Sequence, residues 1–574
     1  MSVEKEASVQ IDDSDVVAIH DLKELGYEQE LVRSRGLPHI LFMTLTILAV
    51  PCGLAAPIAT SLVGGGPASM FWGLLVVSLF TLAVALSLAE IASKYPTSGG
   101  AYYWTYQLSA KRYRLVLSYI TGWLIVTGDW MLALSAAFGT AQFFVAGVGI
   151  YHPEWEATAW QTYLIFLGIL LVIAILCIFF NRYLPLLEVR FACLASDLTD
   201  AHAVEVVSAC WIVLGLITLL ISLSVRARAG RHSAEFAFTH FDASFSGWPA
   251  GWTFFIGLFP AGYTFSGVGM IASMAEEVHK PALNVPRAMV WSVPIGWLMG
   301  VVFILPITFT LPDVAELLQV SSVQPIAVLF TMVMGSKGGG LGMWFIVFGI
   351  ALFCSISINC AASRATWSFA RDKGIPFSSA FAKVTSVGKR STFKSSTDLP
   401  SQDPEPSNDV PFNDHSSDLP LNALLLSLAI QALLGLIYLG SSAAFNAFVG
   451  VEVMCLGASY AIPIIVLLVG GRRGVEGSLG KGIEGAPHAL GKWGWVCNVV
   501  AVLWVALEMV LFSMPAVLPV EEGTMNYASV VFVGFAAISA CWYMINGRFH
   551  YAGPPVAKQL EGNDTRINEE ADVY

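Results

Sequence analysis

Asp129, Glu452 and the run AGYTFSGVGMIASMAEEVHKPALNVPR from Ala261 to Arg287 place polar and charged groups in apolar surroundings, an arrangement that suits binding. The run begins apolar, gives way to Tyr263, Thr264, Ser266, Gly267 and Gly269, and ends in Glu276, Glu277, Lys280 and Arg287. Lipid supplies no partner for a backbone amide, so a membrane helix unwinds only where the freed groups meet protein, water or a bound solute. The run therefore predicts a broken, solute-holding helix. A second break is expected in VPCGLAAP at 50–57, where Pro51 removes an amide donor and Gly53 weakens the helix. A half-helix N-terminus offers amides to an anion, and exposed carbonyls can hold an ammonium group. The expected site is Cys52, Gly53, Leu54 and Ala55 with Tyr263, Thr264, Phe265, Ser266, Gly267 and Gly269. Tyr263 and Phe265 could close over a protonated or quaternary amine through cation-π contact. The plainer reading is that the small residues only let helices pack closely.

Acidic residues inside apolar runs carry the second signal. Asp129 sits in TGDWMLALSA, where an unpaired carboxylate costs about 2.5 to 3.5 kcal/mol on insertion scales, so it is expected to attract a cationic amine or relay a proton. A structural hydrogen bond to a neighbouring helix is the alternative. Glu452 in FVGVEVMCLGASY is a weaker candidate near the bundle interior, and Glu508 is expected to pair structurally. Glu276 and Glu277 with Lys280 and Arg287 are expected to form an inner gate or an ion-pair network. Trp72, Trp123 and Trp344 are expected to be interface anchors or packing residues.

The framework around these groups follows from composition. The chain has 574 residues, 56% hydrophobic and only 12% charged, with a mean hydropathy of +0.68, more apolar surface than a soluble core can use. At about 20 residues per crossing the apolar runs give about twelve helices. They are expected near 39–62, 68–91, 115–146, 160–181, 204–225, 252–274, 288–311, 341–363, 420–439, 443–469, 494–517 and 527–546. Basic residues at Arg33, Lys111, Lys280, Arg364 to Lys394, Arg472 and Arg548 alternate with loops nearly free of them. The positive-inside rule then makes both termini cytoplasmic, against which Arg226, Arg228 and Arg231 are the dissenting loop. The formal charge of −11 lies largely in polar tails and one insert, and implies no nucleic-acid partner. Nine scattered cysteines without CxxC or metal spacing are expected to be small packing residues.

The division expected is a cytoplasmic tail over 1–38, a transmembrane domain over 39–546 and a cytoplasmic tail over 547–574. The acidic first residues lack an apolar core and are not expected to be a cleaved signal or transit peptide. Residues 189–203 read as an extended loop with a short surface helix or as an insertion, conceivably a retained intron. Residues 385–418, rich in Ser, Asp and Pro, read as a disordered loop with phosphorylatable hydroxyls.

SLAEIASKYPTSGGAYYW at 87–104, GYTFSGVGMIASMAEEVHKPALNVPRA at 262–288 and SRATWSFARDKGIP at 363–376 resemble signature segments of the amino acid, polyamine and organocation permeases. GRHSAEFAFTHFDASFSGWPAGWTFF at 230–255, QPIAVLFTMVMGSKGGG at 324–340 and MNYASVVF at 525–532 resemble the fungal amino-acid and choline branch, which includes GABA permeases and choline transporters. The likeness runs over roughly residues 30–550 and implies an all-α, LeuT-like fold: two inverted repeats of five helices plus two peripheral ones. Helices one and six are then counterparts, and paired interruptions there point to a transport site between helices one, three, six, eight and ten. Asp129 departs from the small or neutral residue usual in that family.

The resemblance implies a plasma-membrane carrier of a small amino acid or amine, choline-like or GABA-like, using alternating access with proton symport or exchange. A polyamine, or an alkaloid-type nitrogenous metabolite or its precursor, is the other solute class, and a transporter-like nutrient receptor the other protein class. No lysine on helix five supplies a proton-sensing amine, so Asp129 is the expected coupling residue. No HExxH, GxSxG, P-loop or CxxC constellation supports an enzyme, a metal or a cofactor.

Overall fold

The computed structural model describes residues 13–191, 203–228, 230–318, 324–386, 418–473, 475, 478–479, 482–521 and 525–555. Among them twelve helices are long and apolar enough to cross a membrane: Leu37–Ala55, Pro67–Lys94, Arg114–Tyr151, Ala159–Ile178, Val206–Arg226, Ala250–Glu277, Pro281–Phe309, Lys337–Arg371, Leu421–Gly440, Ala447–Val469, Trp493–Leu511 and Ala528–His550. The chain is an all-α polytopic membrane protein, as its apolar runs predict. Its β-structure, among the described residues, is one antiparallel pair, Thr385–Ser386 with Asp418–Leu419.

Several helices overrun the apolar runs that announced them. The third begins at Arg114 and reaches Tyr151, and the eighth reaches Arg371. Arg364 and Arg371 are thus helical and paired with buried carboxylates rather than part of a basic loop. Short buried elements join the spans, above all Gly100–Leu108, whose side chains are all inside the bundle.

Both expected interruptions exist. The first span is a helix over Leu37–Leu48, a left-handed Ala49 at φ 37°, and a second helix over Val50–Ala55. The break falls just before Pro51, which then occupies the first turn of the new half-helix, where its missing amide costs nothing. The sixth span runs through helices Ala250–Ile256 and Phe259–Phe265 and tightens into a 3₁₀ helix over Ser266–Glu277. It is rewound more tightly, not left as coil. Twelve residues of 3₁₀ geometry far exceed the usual three or four.

The third, eighth and tenth spans pack around these breaks, with the seventh against the second and first. The eight described cysteines are all free. Trp344 donates to the Phe143 carbonyl at 2.7 Å inside the bundle, Trp72 is half exposed, and Trp123 packs edge-on to Phe369. Residues 192–202 and 387–417, which hold most of the two expected inserts, lie outside the described residues, as does the tail beyond 555.

Candidate functional site

A cavity of about 470 Å³, its mouth included, opens where the first and sixth spans break. Cys52, Gly53, Tyr263, Thr264, Ser266 and Gly267 line it, so six of the expected residues converge on one space. Leu54, Ala55, Phe265 and Gly269 do not reach its wall. Leu54 and Ala55 are buried, Phe265 packs on Gly296 of the seventh span, and Gly269 packs on Tyr460 of the tenth. The rotation of each half-helix turns these positions toward neighbouring spans instead of the space.

The third span completes the wall with Leu132, Ser135, Ala136, Gly139 and Phe143, and the eighth with Ala351, Cys354 and Ile358. None of these was expected individually. The third-span set recurs at three- and four-residue spacing and is visible in LALSAAFGTAQFF as a stripe of small residues, although such stripes are equally common in packing faces.

Polar contacts bind the wall together. Ser135 Oγ and Tyr263 Oη lie 3.1 Å apart. Glu452, reaching in from the tenth span, accepts from Ser266 Oγ at 2.5 Å and from Ser135 Oγ at 3.4 Å. It stands behind the wall with its charge one hydroxyl away from the space. Asp129 is displaced from the cavity; it is 1% exposed, and neither carboxylate oxygen has a hydrogen-bond partner among the described residues. The structural hydrogen bond considered for it is not formed. Glu508 bonds to Trp504 and faces Gly262, a structural pairing as expected.

The gate carboxylates are paired, but with other residues than Lys280 and Arg287. Glu276, fully buried, takes a two-pronged contact from Arg371 at 2.9 and 2.8 Å. Glu277 accepts from Arg364 at 2.8 Å and Arg35 at 3.3 Å. The tight 3₁₀ end aims both acids at the eighth span and the N-terminal segment, while Lys280 takes φ 49° to start the next helix. The expected tail over 1–38 is a docked strap from residue 13 onward. Ser34 and Arg35 amides donate to the Glu277 carbonyl at 3.0 and 3.1 Å, Arg33 donates to the Val278 carbonyl at 2.7 Å, and His279 Nδ1 lies 2.9 Å from Asp15. Tyr27 and Tyr102 hydroxyls donate to Asp372 at 2.6 and 2.8 Å. Burial pushes the Tyr27 phenol well above its ordinary range, and burial also raises the Asp372 carboxyl, against the pull of Arg371.

Comparison with known proteins agrees with this geometry. Residues 36–536 match the family described as amino acid permease. An amino-acid permease of Arabidopsis thaliana is 30% identical over 93% of this chain and 95% of its own length. A polyamine transporter of Saccharomyces cerevisiae is 29% identical over 93% of this chain and 79% of its own, and a choline transporter of the same yeast is 28% identical over 87% and 79%. The likeness therefore extends to plants as well as fungi. A chain with twelve membrane-crossing helices, broken first and sixth spans and this match over most of its length belongs to the amino acid permease family, within the amino acid, polyamine and organocation superfamily.

Proposed function

We propose that this permease is a secondary active carrier that moves a small amine or amino acid by alternating access, with choline and GABA the leading solutes and protons the coupling partner, by symport or exchange. The observation that carries this reading is the cavity at the paired helix breaks, walled by Cys52, Gly53, Tyr263, Thr264, Ser266 and Gly267. Ligand sites in such folds lie where discontinuous helices expose backbone groups near mid-membrane. Glu452 behind the wall, with Asp129 farther from it, supports a positively charged group on the solute. A polyamine or another nitrogenous metabolite is the second reading, favoured by that same acidity. The strap and the Glu276, Glu277, Arg364 and Arg371 pairs act as the inner gate, at the end that the basic residues make cytoplasmic. Plasma membrane is the proposed location.

The experiment is a competition uptake panel in permease-deficient yeast, with radiolabelled choline and GABA challenged by proline and spermidine at two pH values. Saturable uptake, competed by amines or zwitterions, supports a carrier. Solute binding without uptake, at normal surface expression, rejects the carrier in favour of a nutrient receptor.

A further inference from the structure

Glu452 is fully buried, and the hydroxyls holding it, Ser266 and Ser135, both line the cavity. The titratable groups facing it are Tyr263 of the sixth span, Cys354 of the eighth with Cys52 of the first beside it, Asp129 of the third, and Cys455 and Tyr460 of its own helix. Glu508 of the eleventh span stands farther round, against Gly262, and the twelfth span meets the tenth through Ala528 at Gly450. Among the described residues no Lys, Arg or His neutralises Glu452.

A buried carboxylate without a cation is expensive. Two partners could remove that cost: a proton on the carboxyl, or an ammonium group in the cavity one hydroxyl away. The empty, ionised site is disfavoured roughly 100-fold on insertion scales. We propose that Glu452 is held alternately by a proton and by the substrate's ammonium group, so that the carrier reorients only when occupied and exchanges an organic cation for a proton. This rests on the transport reading above and narrows its substrate to a cation.

The first-span break supports that narrowing. The Cys52 and Gly53 amides both donate to the Ala49 carbonyl, at 2.8 and 3.0 Å, so neither is free for a substrate carboxylate. A zwitterion would bring to this cavity a negative charge that neither of these amides can receive.

Asp129 supplies the proton's way out. Gly128 packs on Leu456, one turn beyond Glu452 on the tenth span, and the following Asp129 is an electrostatic neighbour of Glu452 on the side toward the basic end. Both Asp129 oxygens lack hydrogen-bond partners among the described residues, so either can take up a proton. The step is a proton hop: the O–H bond of Glu452 breaks, an O–H bond forms on Asp129 after its own proton has left toward the basic end, and no electrons change hands.

The test uses full-length protein in phosphatidylethanolamine–phosphatidylglycerol vesicles with an imposed acid-inside gradient. Choline and spermidine are expected to accumulate several-fold above equilibration, and GABA is not. Glu452→Gln removes the accumulation and leaves any residual movement independent of pH, while Glu452→Asp restores part of the coupling and so separates lost chemistry from misfolding. Asp129→Asn reaches the same final accumulation roughly tenfold more slowly. Full accumulation in Glu452→Gln, gradient-driven GABA entry, or wild-type choline exchange that ignores the gradient would each overturn the proposal. Wild-type vesicles that exchange none of the three solutes overturn the transport reading itself.

Discussion

Gly53 of the first span and Thr264 of the sixth are in direct contact, and a Cβ on Gly53 would overlap the Thr264 side chain. The two helix breaks are thus fitted together by one absent methyl group. Thr264 is itself committed, its hydroxyl donating to the Pro260 carbonyl at 2.6 Å. Gly53→Ala is expected to reduce uptake at least tenfold with surface expression retained. Thr264→Ala in that background should recover part of it, since it removes the overlapping hydroxyl and methyl. Additive losses in the double-mutant cycle would show that the contact does not couple the two breaks.

Cys52 lines the cavity and is partly accessible, whereas Cys354 on the same wall is buried. A small membrane-permeant thiol reagent is expected to block uptake, a saturating substrate to protect against the block, and Cys52→Ala to be resistant. Equal sensitivity in Cys52→Ala would place the reactive thiol elsewhere.

The two-pronged Arg371–Glu276 pair is buried, with Arg371 also stacked 4.1 Å from the Tyr27 ring. Arg371→Ala strands a carboxylate of zero exposure and should destabilise the purified protein by about 3–5 kcal/mol. Arg371→Lys keeps the charge but loses the fork and the stacking, and should recover only part of this. Thermal unfolding in detergent checks both.

Asp372 gives a pH dependence with a definite sign. Burial raises its carboxyl above the unfolded value, so the folded chain binds that proton more readily than the unfolded one. Its contribution is full below the unfolded value and declines as pH rises through the raised one. Asp372→Asn still offers an oxygen to Tyr27 and Tyr102, and should flatten that decline in an unfolding-midpoint series from acidic to neutral pH. Parallel curves for the two proteins would assign the dependence to another group.

The twelve spans were legible because apolar length is a local property, and the breaks because Pro51, Gly53, Gly267 and Gly269 act on their own backbone. The cavity was legible in part. Which of two adjacent residues faces it, Thr264 or Phe265, depends on how the half-helix is rotated against its neighbours, which composition does not encode. The ion pairs were not legible: Arg35, Arg364 and Arg371 are far in sequence from Glu276 and Glu277, and nearby Lys280 and Arg287 were the natural guesses. Asp129 attracted attention by its depth, yet Glu452 holds the contact with the wall, because only packing shows which acid meets Ser266.

The docked strap also constrains how the molecule is made. Its partners, Glu277, His279 and Asp372, are translated hundreds of residues later and sit at the ends of the sixth and eighth spans. Chains are synthesised from the N-terminus, so the segment that emerges first is among the last to find its place. Arg33 and Arg35 gain their partners once the sixth helix is in place and Tyr27 only with the eighth, so the strap closes in steps as the bundle assembles.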